Sequence, residues 1–279
     1  MQNYSVLMSV YKNDDEKYLE LAIESMINQT VQPEQYVIVI DGPIPPSLLS
    51  VILKFEKNYP TLFTILKLSQ NQGLGSALNA GIELCRNELI ARMDADDISK
   101  IDRCEKQLKQ FEKNPSLEIL GTQIEEFVDE IENVISQREV PCSKDRIKSF
   151  AKRRSPFNHP TVMYKKDTIC KLGKYRAYGR KEDLDLFLRG VFSNCICENL
   201  SESLLWYRTS NENLKRRKTW INCKEYIDVM YGFYKENNVS LTDLIYVVVG
   251  QLSMYVLPVK LTNMLSSKLL RKKMKVSNR

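Results

Sequence analysis

Histidine is almost absent from this chain of 279 residues, which contains only His159. A single histidine excludes metal sites that need two, including histidine-rich zinc sites and the His-Glu-x-x-His helix of zinc proteases. The seven cysteines are scattered, odd in number and without a Cys-x-x-Cys pair. Neither a disulfide framework nor a zinc ribbon is therefore predicted, and reduced thiols in a cytoplasm fit best.

Acidic residues are missing from the last 29 residues, 251–279, which contain seven basic ones. The whole chain has 41 Lys and Arg against 35 Asp and Glu, so the first 250 residues have 34 basic and 35 acidic side chains. A nearly neutral body argues against a surface built to wrap nucleic acid, and no nucleic-acid partner is predicted. With 43% apolar and 27% charged residues, the chain is typical of a globular protein.

Short apolar runs alternate with amphipathic stretches over the first 130 residues. This pattern predicts strands at Tyr4–Val10, Tyr36–Ile40, Phe63–Leu68 and Glu88–Arg92 with helices between them. The N-terminus opens directly on a strand-like run, so no secretory signal is predicted. The order β-α-β-α-β-α-β predicts an α/β fold, a parallel sheet covered by helices in a nucleotide-binding layout.

The periodicity loosens after residue 100. It predicts a helix over 101–112, a hairpin of strands 119–127 and 134–140, an amphipathic helix over 181–191 and a strand over 203–208. Two helices, 220–237 and 242–275, are predicted to close the chain. The predicted organisation is a catalytic domain over residues 1–212 and a helical appendage over 213–279.

Acidic residues follow two of the predicted strands. Asp41 ends the second strand, and Asp94, Asp96 and Asp97 follow the fourth. Ligands of open α/β sheets bind at the carboxyl ends of the strands. Crowded carboxylates favour a hard cation, Mg²⁺ or Mn²⁺, which can bridge a protein to a diphosphate. The alternative is an acidic turn that caps the helix beginning near Lys100.

A second acidic pair, Glu182 and Asp183, opens the amphipathic helix over 181–191. Since Leu184, Phe187 and Leu188 occupy its apolar face, the carboxylates can point toward a cleft. The alternative is that both are acids of a first helical turn, stabilised there by the helix dipole. Asp185 is expected to face elsewhere and to be structural.

Six segments resemble, in order, the motifs of family 2 glycosyltransferases with the GT-A fold. They are SVLMSVYKND (5–14), VIVIDGP (37–43), NQGLGSALNAGI (71–82), RMDADD (92–97), HPTVMYKKD (159–167) and RKEDLDLFLR (180–189). The resemblance covers roughly residues 4 to 210 and is greatest to the branch with amylovoran and O-antigen β-1,3-glycosyltransferases. It implies a Rossmann-like mixed sheet with helices on both faces and a C-terminal helical appendage.

The resemblance implies a donor-binding set formed by Ser9, Tyr11, Asp41, Asn71, Gly73, Asn79, Asp94 and Asp96. Within it, Ser9 and Tyr11 lie beside the base, and Asp41 binds the uracil or ribose. Relatives often carry a second aspartate beside Asp41, which this chain lacks. Asp94 and Asp96 match the Asp-x-Asp motif for Mn²⁺ or Mg²⁺, with Asp96 the direct ligand, while Asp97 is expected to cap a helix.

For the reaction, the resemblance implies that Asp183 is the catalytic base and that Glu182 positions the acceptor or the base. His159 matches the family's His-Pro motif and is weighed evenly between two roles. It contacts the acceptor's diphosphate or the metal, or else it is structural. The basic residues Arg176, Arg180 and Lys181 flank the proposed base.

The predicted function is that of an inverting, metal-dependent hexosyltransferase. It moves one galactose or glucose in β-1,3 linkage from a UDP-hexose to GlcNAc or GalNAc on an undecaprenyl diphosphate, in O-antigen or capsule assembly. No Gln-x-x-Arg-Trp motif occurs, which favours a single addition. The alternatives are a nucleotidyltransferase, which needs a phosphate loop after the first strand, and a non-catalytic nucleotide-sugar-binding membrane scaffold.

The C-terminus predicts membrane attachment. Residues 244–259 form an uncharged stretch of 16 residues, which is shorter than the roughly 20 that span a bilayer. The basic residues that follow are interleaved with leucine and methionine, as in a helix lying on an anionic membrane surface. A core-packing helix with a solvated basic end is the alternative. The predicted location is the cytoplasmic face of a bacterial inner membrane, with peripheral attachment.

Overall fold

The computed structural model describes residues 2–209 and 218–257. The elements in chain order are β1 Tyr4–Val10, α1 Glu16–Ile27, β2 Gln35–Ile40, α2 Pro46–Asn58, β3 Phe63–Lys67, α3 Leu74–Leu84, β4 Leu89–Met93, β5 Ile98–Ser99, α4 Arg103–Lys113, β6 Ile119–Val128, β7 Glu130–Arg138, α5 Lys144–Ala151, a 3-10 turn His159–Thr161, β8 Met163–Lys165, α6 Lys166–Lys171, α7 Glu182–Phe192, β9 Cys197–Arg208, α8 Trp220–Lys235 and α9 Leu241–Val256.

The strands form one mixed sheet in the order β3-β2-β1-β4-β8-β6-β9-β5, with β7 paired to β6. β1 to β4 are mutually parallel, which confirms the parallel layout predicted for the first part of the chain. The direction reverses at β8, which is antiparallel to β4 and β6. The Rossmann-like mixed sheet implied by the resemblance is confirmed, and the carboxyl ends of β2, β1 and β4 lie side by side.

Residues in the central strands alternate between two hydrophobic cores, one on each face of the sheet. In β1, Val6 and Met8 join the core formed with α1, α2 and α4. Leu7 joins the opposite core, formed with α3 and α7. Because both faces are covered, these strands need apolar residues at successive positions, which explains their continuous apolar runs.

Helix starts follow local capping chemistry. The Asp15 side chain accepts hydrogen bonds from the backbone N–H groups of Lys17 and Tyr18 at the start of α1. α2 begins with Pro46, which fits the first helical position because a residue there needs no N–H partner. α4 begins at Arg103, so the prediction that Asp97 caps this helix is wrong. Asp97 is used elsewhere, as described below.

Four short elements, β5, α5, β8 and α6, were not predicted. β5 and β8 have two and three residues, too few to show an alternation of apolar and polar positions. β8 pairs with β4 and β6 through residues distant in the chain, such as Ala91 with Met163 and Leu120 with Met163. Pairing with these strands, rather than a local pattern, therefore defines it.

The C-terminal helices α8 and α9 pack against the core that α3 and α7 line. Val229, Met230 and Phe233 of α8 are buried there, together with Leu244 and Val247 of α9. The predicted boundary at residue 212 falls in the gap between the described ranges. The helix predicted over 242–275 is present to Val256, and residues 258–279 lie outside the described part of the chain.

Membrane spans were sought among the helices of residues 2–209 and 218–257. None of these helices combines the length and the apolar character that crossing a bilayer requires.

We expect Gly81→Ala to lower the free energy of unfolding by about 1–3 kcal/mol, the usual cost of overpacking a core. A Cβ at Gly81 would lie 2.3 Å from Leu7 Cδ1 and 2.9 Å from Val39 Cγ2. Gly81 thus sets the distance between α3 and the sheet. Urea unfolding of the purified protein measures the change.

Gly232→Ala in α8 is the matched control, because a Cβ at Gly232 has no atom within 4 Å. Here the substitution should raise the free energy of unfolding by about 0.5–1 kcal/mol, since alanine favours a helix interior over glycine. Equal effects of the two substitutions would contradict close packing at Gly81.

Candidate active site

A cluster of carboxylates lies at the carboxyl end of β4. Asp94, Asp96 and Asp97 offer oxygen atoms that all lie within 4.8 Å of one another. One cation with oxygen ligands at about 2.1 Å can bridge such a group. The cluster therefore fits the Mn²⁺ or Mg²⁺ predicted at Asp94 and Asp96, and Asp97 is a third candidate ligand.

The electrostatics of this cluster also favour a cation. Burial and the charge of Asp94 raise the pKa of Asp96 to about 6. Asp97 is fully buried, and burial together with the charges of Asp96 and Asp94 holds its pKa well above its usual range. Its Oδ1 accepts the backbone N–H of Arg208 at 2.9 Å, whereas its Oδ2 has no hydrogen-bond partner in the described part of the chain. Such a buried oxygen fits a role as a metal ligand.

Arg92 lies beneath the cluster and was given no role by the sequence analysis. Its side chain is almost fully buried and donates from Nη2 to Asp94 Oδ1. Its Nε and Nη1 have no partner among residues 2–209 and 218–257. Burial raises the pKa values of Asp97 and Glu182, and the charge of Arg92 offsets part of that rise. A basic residue inside the apolar strand LIARM is the sequence signal that could have found it.

Asp41 holds the loop between β3 and α3. It is buried at the end of β2, and its Oδ1 accepts the backbone N–H of Gln72 at 2.7 Å. Its Oδ2 accepts from Asn71 Nδ2 at 2.9 Å and from the backbone N–H of Gly73 at 3.0 Å. Three residues predicted to border the donor, Asp41, Asn71 and Gly73, are thus brought together.

Gly42 allows this loop to approach β2. Its φ of +84° belongs to the left-handed region, and a Cβ there would lie 2.5 Å from the backbone nitrogen of Asn71. Any side chain would force the loop away from the sheet. Asp41 and Gly42 therefore fix the loop between β3 and α3, called the donor loop below, through hydrogen bonds to the Asp41 carboxylate and close backbone contact at Gly42.

Ser9 and Tyr11 lie at the neighbouring end of β1. Both are half-buried, and Ser9 pairs with Val39 of β2. The backbone N–H of Tyr11 donates to Asp14 Oδ2 at 2.9 Å, which turns the chain toward α1. The end of β1 lies between Asp41 at the end of β2 and the carboxylate cluster at the end of β4. The contact of Ser9 and Tyr11 with the nucleotide base stays a prediction.

Asn79 binds the backbone of Tyr175. Its Nδ2 donates to the Tyr175 carbonyl at 2.8 Å, and its Oδ1 accepts the Tyr175 N–H at 2.9 Å. The side chain thus fixes the start of the segment that leads to α7. These bonds do not test whether Asn79 borders the donor, which stays a prediction.

Glu182 and Asp183 begin α7, as predicted. Glu182 is buried, and a Cβ at Gly75 would lie 3.2 Å from its Cβ and Cγ, so Gly75 makes room for it. Burial and the charge of Asp183 raise the pKa of Glu182 to about 7. Asp183 is half-buried. Asp185 forms a buried ion pair with Arg189 at 2.6 Å, as expected of a structural residue.

His159 is buried beneath the site. Its Nε2 lies 2.9 Å from the Tyr175 hydroxyl, and its ring packs edge-on against Phe187 at 5.6 Å. Burial lowers its pKa well below the usual range, and the nearby charge of Arg92 lowers it further. These contacts favour the structural role, with a neutral ring that supports Tyr175. Contact with an acceptor or metal stays a prediction.

The fold and the site define an α/β protein with acidic residues at the carboxyl ends of two parallel strands, Asp41 after β2 and the carboxylate cluster after β4. Residues 5–179 match the family model described as Glycosyl transferase family 2. The match spans more than half of the chain, and the chain belongs to this family. The resemblance stated from the six motifs is confirmed, and the protein is a glycosyltransferase.

Relatives with assigned activities support the same placement. The chain is 34% identical over 271 residues to the UDP-Gal:alpha-D-GlcNAc-diphosphoundecaprenol beta-1,3-galactosyltransferase of Escherichia coli, covering 96% of this chain and 97% of that protein. It is 34% identical over 217 residues to the amylovoran biosynthesis glycosyltransferase AmsE of Erwinia amylovora, covering 78% and 80%.

Solved structures share the fold at low sequence identity. The mannosyltransferase PcManGT from Pyrobaculum calidifontis, in complex with GDP-Man and Mn²⁺, superposes with a TM-score of 0.65 at 11% identity, covering 96% of this chain and 75% of that one. S. aureus TarS 1–349 with UDP-GlcNAc superposes with a TM-score of 0.64 at 14% identity, covering 98% and 76%. The GT-A fold is thereby confirmed.

We expect Glu182→Gln to stabilise the metal-free protein in a pH-dependent way. The pKa of Glu182 is about 7 in the folded protein against 4.5 for an ordinary glutamate. Between these pH values the folded state binds more protons, so wild-type stability is lost as the pH rises from 4.5 to 7. Glutamine has no proton to lose and should gain about 2–3 kcal/mol near pH 8 and little at pH 4.

Urea unfolding with a chelator present, at both pH values, measures this gain. Glu34→Gln is the control, because the Glu34 side chain is exposed. A gain from Glu182→Gln that is equal at the two pH values would contradict the raised pKa.

Proposed function

We propose that this protein is an inverting, metal-dependent hexosyltransferase. It transfers one galactose or glucose from a UDP-hexose to a GlcNAc or GalNAc carried on a lipid diphosphate. The observation that carries the proposal is the buried Arg92, which pairs with Asp94 of the carboxylate cluster and whose charge also acts on Glu182. One buried cation therefore interacts with both the metal-type cluster and the acidic pair that opens α7.

The donor end of the site consists of the loop held by Asp41 together with the cluster at β4. Ser9 and Tyr11 lie beside the base of the nucleotide, and Asp41, Asn71 and Gly73 form the wall beside its ribose. Asp96 holds Mn²⁺ or Mg²⁺, with Asp94 nearer the ribose and sugar. The bound ion supplies positive charge for the leaving diphosphate.

Asp183 removes the proton from the acceptor hydroxyl while that oxygen attacks the anomeric carbon. The new carbon–oxygen bond forms on the face opposite the bond to UDP, which breaks as UDP leaves with its electron pair. An α-linked donor therefore gives a β-linked product. Glu182, buried beside Asp183 in the first turn of α7, positions the acceptor or the base.

The choice of donor and acceptor rests on the Escherichia coli relative, whose name gives UDP-Gal and GlcNAc-diphosphoundecaprenol and which aligns over 96% of this chain. The AmsE relative, named for amylovoran biosynthesis, supports a role in bacterial polysaccharide assembly. The polysaccharide proposed here is O-antigen or capsule. The TarS structure with UDP-GlcNAc supports a UDP-linked donor. The proposed linkage is β-1,3.

Two alternatives are less well supported. A nucleotidyltransferase needs a glycine-rich phosphate loop after β1, and the residues there are Tyr11-Lys12-Asn13. A non-catalytic nucleotide-sugar-binding scaffold would not require an acidic pair for proton transfer. This chain has such a pair, the buried Glu182 beside the half-buried Asp183.

We expect Asp183→Asn to abolish transfer while UDP binding is kept. Loss of a general base lowers the rate by about 10²–10⁴-fold, and the fold tolerates the change because Asp183 is half-buried. The assay combines a panel of UDP-sugars, Mn²⁺ and a synthetic GlcNAc-diphospho-lipid, with the product linkage determined by NMR.

Asp167→Asn, on the exposed first turn of α6, is the matched control and should behave as wild type. Near-normal turnover of Asp183→Asn would remove Asp183 from the mechanism. No transfer by the wild type with any donor in the panel would contradict the proposed reaction.

We further propose that the C-terminus attaches the enzyme to the cytoplasmic face of a bacterial inner membrane. The basic residues predicted to do so, Lys260 to Lys275, lie outside the described part of the chain. The described helix α9 adds support, because it exposes one apolar stripe that consists of Leu241, Ile245, Val249, Leu252 and Val256. Its opposite side is buried through Leu244 and Val247, so the helix is apolar on both sides.

Aromatic and basic side chains flank this stripe. Trp220 and Tyr255 are exposed and in contact, with ring centroids 5.7 Å apart. The Arg153 guanidinium lies 4.6 Å from the Tyr246 ring centroid. Apolar residues bordered by aromatic and cationic groups are typical of surfaces that lie on anionic lipid.

We expect Ile245→Ser with Leu252→Ser to weaken binding to vesicles that contain phosphatidylglycerol, as measured by flotation. Transfer to a short-chain acceptor should stay unchanged, because neither side chain is buried in the core. Leu21→Ser with Leu53→Ser, at exposed leucines of α1 and α2, is the control. Attachment to anionic lipid should weaken as salt is added. If neither salt nor these substitutions changed the fraction of protein that floats with the vesicles, this mode of attachment would be contradicted.

A further inference from the structure

The segment that precedes α7, the helix that carries Asp183, is bound by side chains of α8. The backbone N–H of Arg180 donates to Glu225 Oε2 at 3.1 Å. Lys181 Nζ donates to Asn222 Oδ1 at 2.7 Å and lies 5.7 Å from the Tyr226 ring centroid. Three residues of one face of α8 therefore contact the two residues that precede Glu182.

Gly179 brings this segment directly onto the Glu225 carboxylate. Its φ is +58°, in the left-handed region, and a Cβ there would lie 2.0 Å from Glu225 Oε1. A residue with a side chain would strain the backbone and push Glu225 aside. The glycine and the glutamate thus fit as a pair, although 46 positions separate them in the chain.

The other end of the same segment is fixed by α3, through the two hydrogen bonds between Asn79 and the Tyr175 backbone. Residues 176–181 are therefore tied at both ends before the chain enters α7. Lys181 is the N-cap residue of α7, so its position sets that of Asp183 two residues later.

Tyr226 ties α8 to the residues that follow α5. Its hydroxyl donates a hydrogen bond to the Arg153 carbonyl at 3.1 Å. Burial raises the pKa of Tyr226, the charge of Arg154 offsets part of this rise, and the charge of Asp183 adds to it. α8 therefore contacts the segment before α7 as well as the core.

We propose that Glu225 is a positioning residue for the catalytic base. Its carboxylate holds the backbone of residues 179–180, and so fixes the start of α7 that carries Asp183. The proposal rests on the proposed function of Asp183 and extends the active site to a helix beyond residue 179, where the match to the family model ends. α8 then serves to position the base as well as to pack on the core.

Glu225→Gln and Glu225→Ala test the proposal. Both should lower kcat for transfer to the GlcNAc-diphospho-lipid by about tenfold or more, because small displacements of a catalytic group have effects of this size. The KM for the UDP-sugar and the UDP affinity with Mn²⁺ should change less than twofold, since Glu225 contacts Gly179 and Arg180 rather than the donor-side residues of the described chain. The limb of the pH–rate profile that reports the base should also shift, which a purely structural role would not cause.

Asp228→Asn is the matched control on the same helix. Asp228 is exposed and pairs with Lys224 of α8 rather than with the catalytic segment. Thermal unfolding of each variant checks that it is folded. If Glu225→Ala does not fold, Glu225→Gln serves as the test.

Kinetics of Glu225→Gln that match those of Asp228→Asn would overturn the proposal. So would an equal loss of UDP affinity and turnover, because it would place the effect on the whole site. Failure of the proposed function is a separate outcome, since the wild type itself would then show no transfer.

Discussion

The ion pair between the buried Arg92 and the partly exposed Asp94 is the interaction on which the site depends. Asp94, Asp96 and Asp97 at the end of β4 offer oxygen atoms within 4.8 Å of one another, and Asp97 is fully buried. Like charges so close would repel strongly without a counter-charge. Arg92 supplies one positive charge, and the remaining excess of negative charge favours a divalent cation, which would in turn bind a diphosphate.

Two features of the fold bring these groups together. The parallel strands β2, β1 and β4 align their carboxyl ends, which places Asp41, Tyr11 and Asp94 along one edge. Glycines then allow close approach at two points: Gly42 admits the donor loop, and Gly75 admits Glu182. The catalytic helix α7 is thereby packed on α3, while α8 closes its outer side.

Much of this arrangement could be predicted from the sequence because its signals are local. Continuous apolar runs identified β1 to β4, and acidic residues after β2 and β4 identified the ligand edge. Arg92 and the bonds between Asn79 and Tyr175 could not be predicted in the same way, because they depend on contacts between residues distant in the chain. Asp97 was misassigned for the same reason, since its partner, the Arg208 backbone, comes from β9.

We propose that the carboxylates after β4 hold a divalent cation that binds the nucleotide diphosphate. Isothermal titration of UDP, with Mn²⁺ and with a chelator, measures this in the wild type and in Asp96→Asn. UDP should bind the wild type only with Mn²⁺, and Asp96→Asn should lose this binding while remaining folded. Equal UDP affinity with and without Mn²⁺, or unchanged affinity in Asp96→Asn, would show that these carboxylates hold no such cation.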